Sequence, residues 1–145
     1  MRGEIVSINI STMKGTRKVP VQEATINELG LEGDAHAGKW HRQVSLLAKE
    51  SIIKARNWGL DVSNGDFAEN ITTRGLTLHK LKVGTKLIIN DVILEVSQIG
   101  KKRHEDCEIK RLTGKCIMPI EGVFAKVIQG GKIKVGDSIQ VLVEK

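Results

Sequence analysis

The sequence is poor in aromatic residues and in long apolar stretches. Only 3% of its 145 residues are aromatic, and tyrosine is absent. Aliphatic side chains must therefore fill most of the core. No apolar run approaches the roughly 18 residues that a membrane-spanning helix needs. The first residues, "MRGEIVSINI", lack the apolar region of a signal peptide. We therefore expect a cytoplasmic protein that makes no membrane contact.

The chain also has only two cysteines, Cys107 and Cys116, which is too few for a disulfide framework. It is long enough to bury a core without disulfides or a structural metal. Apolar residues make up 40% of it and charged residues 28%, as in globular proteins. We expect a single domain over residues 1–145, whose cysteines are free thiols, ligands or nucleophiles.

Negative charge is in deficit, and the formal net charge is +6. A surplus of this sign favours anionic partners, such as a phosphorylated cofactor, a nucleic acid or an acidic protein, unless it serves only solubility. Most of the lysines are scattered, which suits the plain solubility function equally well. Proteins that bind single-stranded nucleic acid usually stack bases on aromatic side chains, which are scarce here. Nucleic acid is therefore the weakest of these candidates.

The polar and apolar pattern is mainly that of β-structure. Residues 3–10 alternate, which predicts a strand with Val6, Ile8 and Ile10 on one face. Two hairpins and a last strand are predicted further on, over 86–89 with 92–99 around Asn90-Asp91, 123–128 with 132–135 around Gly130-Gly131, and 138–143. The similar segments "KVGTKLII" and "KVGDSIQV" both lead through a glycine into a strand, as at the corners of a barrel.

The segment "AKESIIKARNWG" predicts the one clear helix. Ala48, Ile52 and Ala55 share a face, and Gly59 stands where a helix commonly ends. The glycine-rich segments on both sides of it, at 27–43 and 64–75, are predicted as loops. The expected fold class is mainly β, a closed or partly closed β-barrel with one or more short helices packed outside.

Both cysteines lie in the charged segment "HEDCEIKRLTGKC". His104 and Cys107 have a spacing that suits a metal ligand pair. Cys116 lies further along the chain. A structural zinc ion needs four ligands, however, and the fourth would have to be His36, His41, His79 or an acid. A permanent disulfide between Cys107 and Cys116 conflicts with a reducing compartment, although a transient one does not.

A reactive thiol at Cys107 is another interpretation of the same segment. Nearby positive charge stabilises the thiolate that acts as the nucleophile. Lysines and arginines surround the position, but Glu105, Asp106 and Glu108 are closer along the chain. The local residues therefore leave a reactive and an unreactive thiol both open. Cys116 precedes the apolar residues Ile117 and Met118, so we predict that it is buried.

Two loops carry further candidate ligands. In "EGDAHAGKWHRQ", small residues allow a ligand to approach the backbone. Cationic or donor groups come from His36, Lys39, His41 and Arg42. In "GDFAENITTRG", Asn70 could bond the edge of a heterocycle and Arg74 could hold a phosphate. The alternatives are an ordinary surface loop in the first case, and turn and capping chemistry in the second.

Four motifs in order carry a resemblance to a known family. They are "GDAHAGKWHRQVSLL", "GDFAENITTRGL", "VGTKLII…EVSQIGK" and "CEIKRLTGKCIMPIEGVFAKVIQGGKIKVGD". Together they cover nearly the whole chain. The sequence resembles a small stand-alone MOSC domain of bacterial type, a family named after the C-terminal domain of molybdenum cofactor sulfurases.

The resemblance implies a β-barrel associated with the pterin-based molybdenum cofactor. One cysteine of the family is proposed to carry sulfur as a persulfide, and in amidoxime-reducing members a cysteine ligates molybdenum. The matching position is Cys107, which is thus the candidate catalytic residue and metal ligand; Cys116 matches a second cysteine of small members. The candidate cofactor contacts are His36, His41, Arg42, Asn70, Arg74, Lys101, His104 and Arg111.

The sequence departs from the family pattern just before Cys107. Similar small members carry "GK-x-C-H-H-R-C", where this chain keeps His104 but has Arg103, Glu105 and Asp106 at the positions of the first cysteine, second histidine and arginine. The chain contains no pyridoxal-phosphate desulfurase domain. We therefore expect a cysteine desulfurase or a molybdenum cofactor biosynthesis protein as sulfur donor or acceptor.

The predicted function is a module that binds an anionic pterin cofactor, carries sulfur as a cysteine persulfide for the maturation of metal–sulfur cofactors, or does both. The alternative is a molybdenum-dependent reductase of N-hydroxylated compounds. Because the sequence holds no flavin, haem or iron–sulfur motif, such a reductase would need electron-transfer partners.

Overall fold

A computed structural model of the chain describes residues 2–13, 17–100 and 121–142. Its strands are β1 (Arg2–Ile10), β2 (Val19–Val21), β3 (Glu23–Asn27), β4 (Gly30–Leu31), β5 (Val44–Ala48), β6 (Ile71–Arg74), β7 (Lys86–Ile89), β8 (Val92–Ile99), β9 (Val123–Gln129), β10 (Gly131–Lys134) and β11 (Ser138–Leu142). The helices are α1 (Lys49–Asn57) and a short 3-10 helix over Leu78–Lys80.

Seven of these strands close into a barrel. Their order is β1, β11, β7, β8, β9, β5, β6 and back to β1. Strands β1 and β11 complete the ring through the pairs Arg2–Gln140 and Gly3–Ile139. Strands β5 and β6 pair in parallel, and a parallel pair needs a long crossover, which α1 and residues 58–70 supply. The predicted fold class, mainly β with a barrel and a helix outside, is confirmed.

The barrel encloses an aliphatic core. Ile5, Leu46, Leu87 and Ile139 are among its fully buried members. Both phenylalanines of the chain lie instead in a second cluster outside the barrel, where α1 packs on β5 and β9. Successive residues of a strand face opposite sides, so Leu46 points into the barrel while Leu47 packs with the helix cluster.

Strand β1 departs from the predicted alternation. Its pairing with β6 shifts register between Ile5 and Ser7, as at a β-bulge. The extra residue changes the facing, so Ile5 and Ile8 are both fully buried in the core while Val6 is only half-buried. The prediction that Val6, Ile8 and Ile10 face one way was therefore wrong at Val6.

The two predicted hairpins have different outcomes. Strands β7 and β8 pair across Asn90-Asp91, which confirms the first. The second prediction was wrong because β10 pairs with β3, far upstream, instead of folding back on β9. Gly130 lies at this junction, where a Cβ atom would come within 2.3 Å of the Ile26 carbonyl oxygen. The glycine thus allows a close backbone approach, and β10, β3 and β4 form a small second sheet.

The two "KVG" segments lead into neighbouring strands. Gly84 precedes β7 and Gly136 precedes β11, with φ angles of 96° and 97°. These strands pair directly with each other in the barrel. The internal similarity therefore marks two equivalent corners, each turned by a glycine in a conformation that other residues rarely adopt.

Helix α1 follows the predicted face and end. Ser51, Ile52 and Ala55 are buried, and the chain leaves the helix at Gly59 with a φ angle of 93°. The predicted loop over 64–75 was wrong in its last part, where residues 71–74 form β6. No helix within the described ranges is long and apolar enough to cross a membrane.

Candidate functional site

The segment that holds both cysteines lies between β8 and β9 in the sequence. We call residues 101–120 the cysteine segment; it lies outside the described residues, and with it the candidates Lys101, His104, Cys107, Arg111 and Cys116. Its two attachment points are described. The Gly100 N–H donates to the Gly122 carbonyl oxygen at 2.6 Å. Cys107 follows Gly100 by seven positions in the sequence.

His41 lies directly against this attachment. Its Nε2 is 2.7 Å from Gln98 Oε1, and the Gln98 amide nitrogen donates to the Gly100 carbonyl oxygen at 2.7 Å. The Ser97 hydroxyl donates to the His41 carbonyl oxygen. Gln98 therefore connects His41, a predicted site residue, to Gly100, the last described residue before the cysteine segment.

Arg42 lies on the same rim, held by aromatic rings. Its guanidinium carbon is 4.8 Å from the ring centroid of Trp40 and 5.4 Å from that of Phe124. Such cation–π contacts orient a guanidinium without neutralising it. Phe124 belongs to β9, so Arg42 touches the strand that follows the cysteine segment. Sequence reasoning did not single out Trp40, although its position directly before His41 and Arg42 was a signal that it could belong to the same site.

His36 belongs to a buried polar cluster with Lys18, Asp34 and Ser11. The Lys18 side chain is fully buried, and its Nζ donates to Asp34 Oδ1 at 2.8 Å and to the Ser11 hydroxyl at 3.3 Å. The same nitrogen is 2.9 Å from His36 Nδ1. Asp34 also accepts the His36 backbone N–H at 3.0 Å. Residues 34–42, here called the cationic loop, are thus tied to the end of β1.

Burial and charge act against each other in the Lys18–Asp34 pair. Burial lowers the pKa of Lys18, although the hydrogen bond and charge of Asp34 oppose that change. Burial alone would raise the pKa of Asp34, but the hydrogen bond and charge of Lys18 outweigh it and hold that pKa below its ordinary value. The 2.8 Å contact between two fully buried side chains of opposite charge makes this a buried ion pair, whose members are removed from water together.

Asn70 is fully buried, and both ends of its amide are bonded within the protein. Its Oδ1 accepts the Ser45 backbone N–H at 2.9 Å, and its Nδ2 donates to the Asn9 carbonyl oxygen at 3.2 Å. These bonds join β5, β1 and the start of β6. The structure thus shows a connecting function for Asn70, and its contact with a cofactor stays a prediction.

Glu69, which sequence analysis did not single out, is also fully buried. Its Oε2 accepts the Gly65 N–H at 3.0 Å and the Thr72 hydroxyl at 2.7 Å, while its Oε1 has no hydrogen-bond partner among the described residues. Burial raises the pKa of Glu69, only partly offset by these hydrogen bonds. No pattern in the sequence separates this glutamate from exposed ones.

Arg74 lies away from the other described candidates. It forms an ion pair with Glu4 and is 64% exposed. Glu4 and Ser11 are separated by seven residues, or roughly 23 Å of strand. Because Ser11 contacts Asp34 beside His36, Arg74 and the cationic loop lie at opposite ends of β1. The structure brings His36, His41 and Arg42 to one rim and leaves Arg74 outside it.

A second polar cluster holds the other end of the cysteine segment. Glu121 accepts the Ser51 hydroxyl at 2.6 Å, forms an ion pair with Lys54, and lies 3.7 Å from His79 Nδ1. Burial would raise the pKa of Glu121, but these partners outweigh burial and lower it. The carboxylate thereby fixes the start of β9 to α1, beside a cavity of about 200 Å³.

A larger cavity opens beside the cationic loop. Its volume is about 460 Å³, and its lining includes Lys39, Trp40, Gln43 and Lys126. This volume is within the range of small-ligand sites, about 300–1,000 Å³. Among residues 2–13, 17–100 and 121–142, no group of three or more histidine, cysteine or acidic side chains is arranged to hold a metal ion.

Comparison with known proteins gives a consistent result. The family model described as the MOSC domain matches residues 33–140. The YuaD protein from Bacillus subtilis superposes with a TM-score of 0.79 at 17% identity, covering 100% of this chain and 98% of that one. YiiM from Escherichia coli superposes with a TM-score of 0.69 at 23% identity, covering 100% of this chain and 71% of that one. No curated protein matches the sequence.

Proposed function

Because the chain belongs to the MOSC domain family, we propose that it is a molybdenum-cofactor module that binds the anionic pterin cofactor and carries sulfur on Cys107. The main support is the position of the cationic loop. His41 and Arg42 contact both strands that bound the cysteine segment, through Gln98 and Phe124. An anion bound at this rim would therefore lie close to where the cysteine-bearing chain leaves the barrel.

The described residues fit the anionic part of such a cofactor. Guanidinium, ammonium and imidazole groups are the donors that proteins use for phosphate, and Arg42, Lys39 and His41 supply all three. Space is also present, because no described residue other than its chain neighbours lies within 4 Å of where a Cβ atom of Gly33 would stand. When bound, the cofactor would supply the molybdenum centre that receives sulfur.

The sulfur step needs no oxidant. The Cys107 thiolate attacks the outer sulfur of a cysteine persulfide on the donor protein, a cysteine desulfurase. A new sulfur–sulfur bond forms on Cys107, the bond in the donor breaks, and the donor cysteine leaves as a thiolate. Electrons and atoms balance, since one persulfide is exchanged for another.

Co-purification tests the binding half, with two arginines as a matched pair. The protein is produced in a host that makes the cofactor, and bound pterin and molybdenum are measured. Arg42→Gln should lower occupancy about tenfold or more, as expected for loss of a charged hydrogen bond worth about 1.5–3 kcal/mol. Arg74→Gln should leave it nearly unchanged. Absence of cofactor from the folded wild-type protein, or equal losses in both variants, would contradict the proposal.

Mass spectrometry tests the sulfur half. After incubation with a cysteine desulfurase and free cysteine, the protein should gain one sulfur atom on Cys107. Cys107→Ser should lose this adduct, and Cys116→Ser should keep it. Sulfur found only on Cys116, or on neither cysteine of a folded protein, would rule out the carrier function of Cys107.

A further inference from the structure

The buried ammonium of Lys18 has a hydrogen-bond acceptor for each of its three N–H groups. They are Asp34 Oδ1 at 2.8 Å, His36 Nδ1 at 2.9 Å and the Ser11 hydroxyl oxygen at 3.3 Å. An ammonium has three donors and no acceptor, so the cluster matches its bonding capacity. A neutral amine would leave the buried negative charge of Asp34 uncompensated, so the charged form of Lys18 is the one that satisfies both the hydrogen bonds and the charge.

The contact between Lys18 and His36 then determines which ring nitrogen of the histidine carries the proton. Nδ1 faces an N–H donor, so it must offer its lone pair and cannot carry a hydrogen of its own. The Asp34 Oδ2 atom is 3.9 Å from Nδ1, which is too far to accept a hydrogen bond from it. A neutral imidazole with Nδ1 unprotonated has its proton on Nε2. A doubly protonated ring would set a second cation and an N–H against the ammonium.

The rest of His36 is fixed as well. Its backbone N–H donates to Asp34 Oδ2 at 3.0 Å, and its carbonyl oxygen accepts the indole N–H of Trp40 at 2.8 Å. The two rings are stacked, with an angle of 13° between their planes. The side chain is 24% exposed, so the fixed imidazole still reaches the surface of the rim.

We propose that Lys18 fixes His36 as the neutral tautomer with its proton on Nε2, so that His36 is a hydrogen-bond donor to an oxyanion of the bound cofactor and not a proton acceptor. The first half concerns the protein alone, and the second rests on the proposed function. Lys18 is thus a positioning residue, since it acts on the ligand only through His36.

Long-range proton–nitrogen NMR correlation spectra of the ligand-free protein test the first half, because they distinguish a protonated from an unprotonated ring nitrogen. The expected result at neutral pH is a protonated Nε2 and an unprotonated Nδ1. The spectrum of His36→Gln assigns the signals. A proton on Nδ1, or on both nitrogens, would overturn the inference.

A double variant tests whether Lys18 is the cause. Lys18→Met alone would leave the Asp34 carboxylate buried without its partner and could prevent folding. The double variant Lys18→Met with Asp34→Asn is therefore used, because it leaves no uncompensated buried charge. Its His36 should show a mixture of both tautomers. If His36 keeps its proton on Nε2 alone in this folded variant, then Lys18 does not determine the tautomer.

Two substitutions of His36 test the donor half against purified molybdenum cofactor. Glutamine retains an N–H donor at a similar reach, whereas leucine has none. His36→Gln should keep affinity within a few-fold, and His36→Leu should lose about tenfold or more. Wild-type affinity in His36→Leu would contradict the donor function while leaving the proposed function intact. If the wild-type protein binds no cofactor, the proposed function and the donor half fail together, and the tautomer result still decides the first half.

Discussion

At the scale of single residues, the Lys18–Asp34 pair shows how much depends on charges being buried together. Neither side chain has measurable exposure. Removing one partner of a buried pair leaves an uncompensated charge, whereas removing both leaves none. We expect Lys18→Met to lower the free energy of unfolding by about 3–5 kcal/mol. Urea denaturation at neutral pH measures this change.

The double variant Lys18→Met with Asp34→Asn is the control for that prediction. It should recover most of the lost stability, because no carboxylate remains to be desolvated alone. Equal losses in the single and double variants would mean that the destabilisation comes from packing of the lysine stem and not from charge.

Glu69 gives a pH dependence of defined sign. Because burial raises its pKa above the ordinary value of 4.5, the folded protein binds more protons than the unfolded chain above pH 4.5. Between pH 4.5 and the higher pKa of the folded state, the free energy of unfolding therefore falls as pH rises, by up to about 1.4 kcal/mol per pH unit. Glu69→Gln removes this loss, so the variant should be more stable than wild type at pH 7.

The stability gain of Glu69→Gln should shrink as pH is lowered towards 4.5, which a series of urea titrations at different pH would follow. Glu23→Gln, at an exposed position of β3, controls for the removal of one negative charge. A constant difference between wild type and Glu69→Gln at every pH would show that Glu69 does not titrate differently in the two states.

Individual site residues were predictable only where local pattern carried the signal. His36, His41 and Arg42 fall in one short cationic stretch, and the structure gathers them on one rim. Lys18 and Glu69 could not be found this way, because charged residues are rarely fully buried and their partners come from distant segments. Burial of Asn70 depends in the same way on Asn9 and Ser45, which only the closed barrel brings near.

At the scale of elements, Gly65 connects the loop before β6 to the segment before β2. Its carbonyl oxygen accepts the Lys18 N–H at 2.8 Å, and its own N–H donates to Glu69. Its φ angle is 88°, and a Cβ atom there would lie 2.3 Å from the Lys18 carbonyl oxygen. Gly65→Ala should therefore suffer both backbone strain and a steric clash, with a loss of roughly 2–5 kcal/mol in unfolding free energy.

Gly59 provides the matched control for that variant. It has a similar φ angle of 93°, but apart from its chain neighbours no atom in the described part of the chain lies within 4 Å of its Cβ position. Gly59→Ala should show the backbone strain alone, about 1–2 kcal/mol. Thermal or urea unfolding compares the two, and equal losses would exclude the clash at Gly65.

The elements themselves were predictable where periodicity is local, as for α1 and for the β7–β8 hairpin. Pairing was not predictable where it depends on sequence-distant strands. The Gly130-Gly131 pair is typical of a tight turn, yet it lies where β10 leaves β9 to join β3. The bulge in β1 is equally invisible in the sequence, since it arises from the register with β6.

At the scale of the whole molecule, stability depends on the closure of the barrel by β1 and β11. Ile139 of β11 is fully buried in the core, whereas Ser138 beside it is exposed. Ile139→Ala should lower the unfolding free energy by about 2–5 kcal/mol. Ser138→Ala should change it by less than about 0.5 kcal/mol. Urea denaturation of both variants measures the difference, and a small effect at Ile139 would mean that the last strand contributes little to closure.

The barrel class was predictable because several strand patterns and one helix agree with the family motifs, and because an aromatic-poor core restricts the packing to aliphatic layers. The placement of both phenylalanines outside the barrel was not predictable, since it depends on which face of β5 and β9 meets α1.

The bond between Gly100 and Gly122 also indicates that the barrel could be made without the cysteine segment. The ends of β8 and β9 already meet there, with Ile99 opposite Val123. Loop length changes closure entropy only slowly, so residues 101–120 could be exchanged for a short turn or for a foreign loop. A barrel made in this way would have no cysteine and would serve as a negative control in sulfur-transfer measurements. It would also be a scaffold onto which the corresponding loops of other family members could be transplanted and compared.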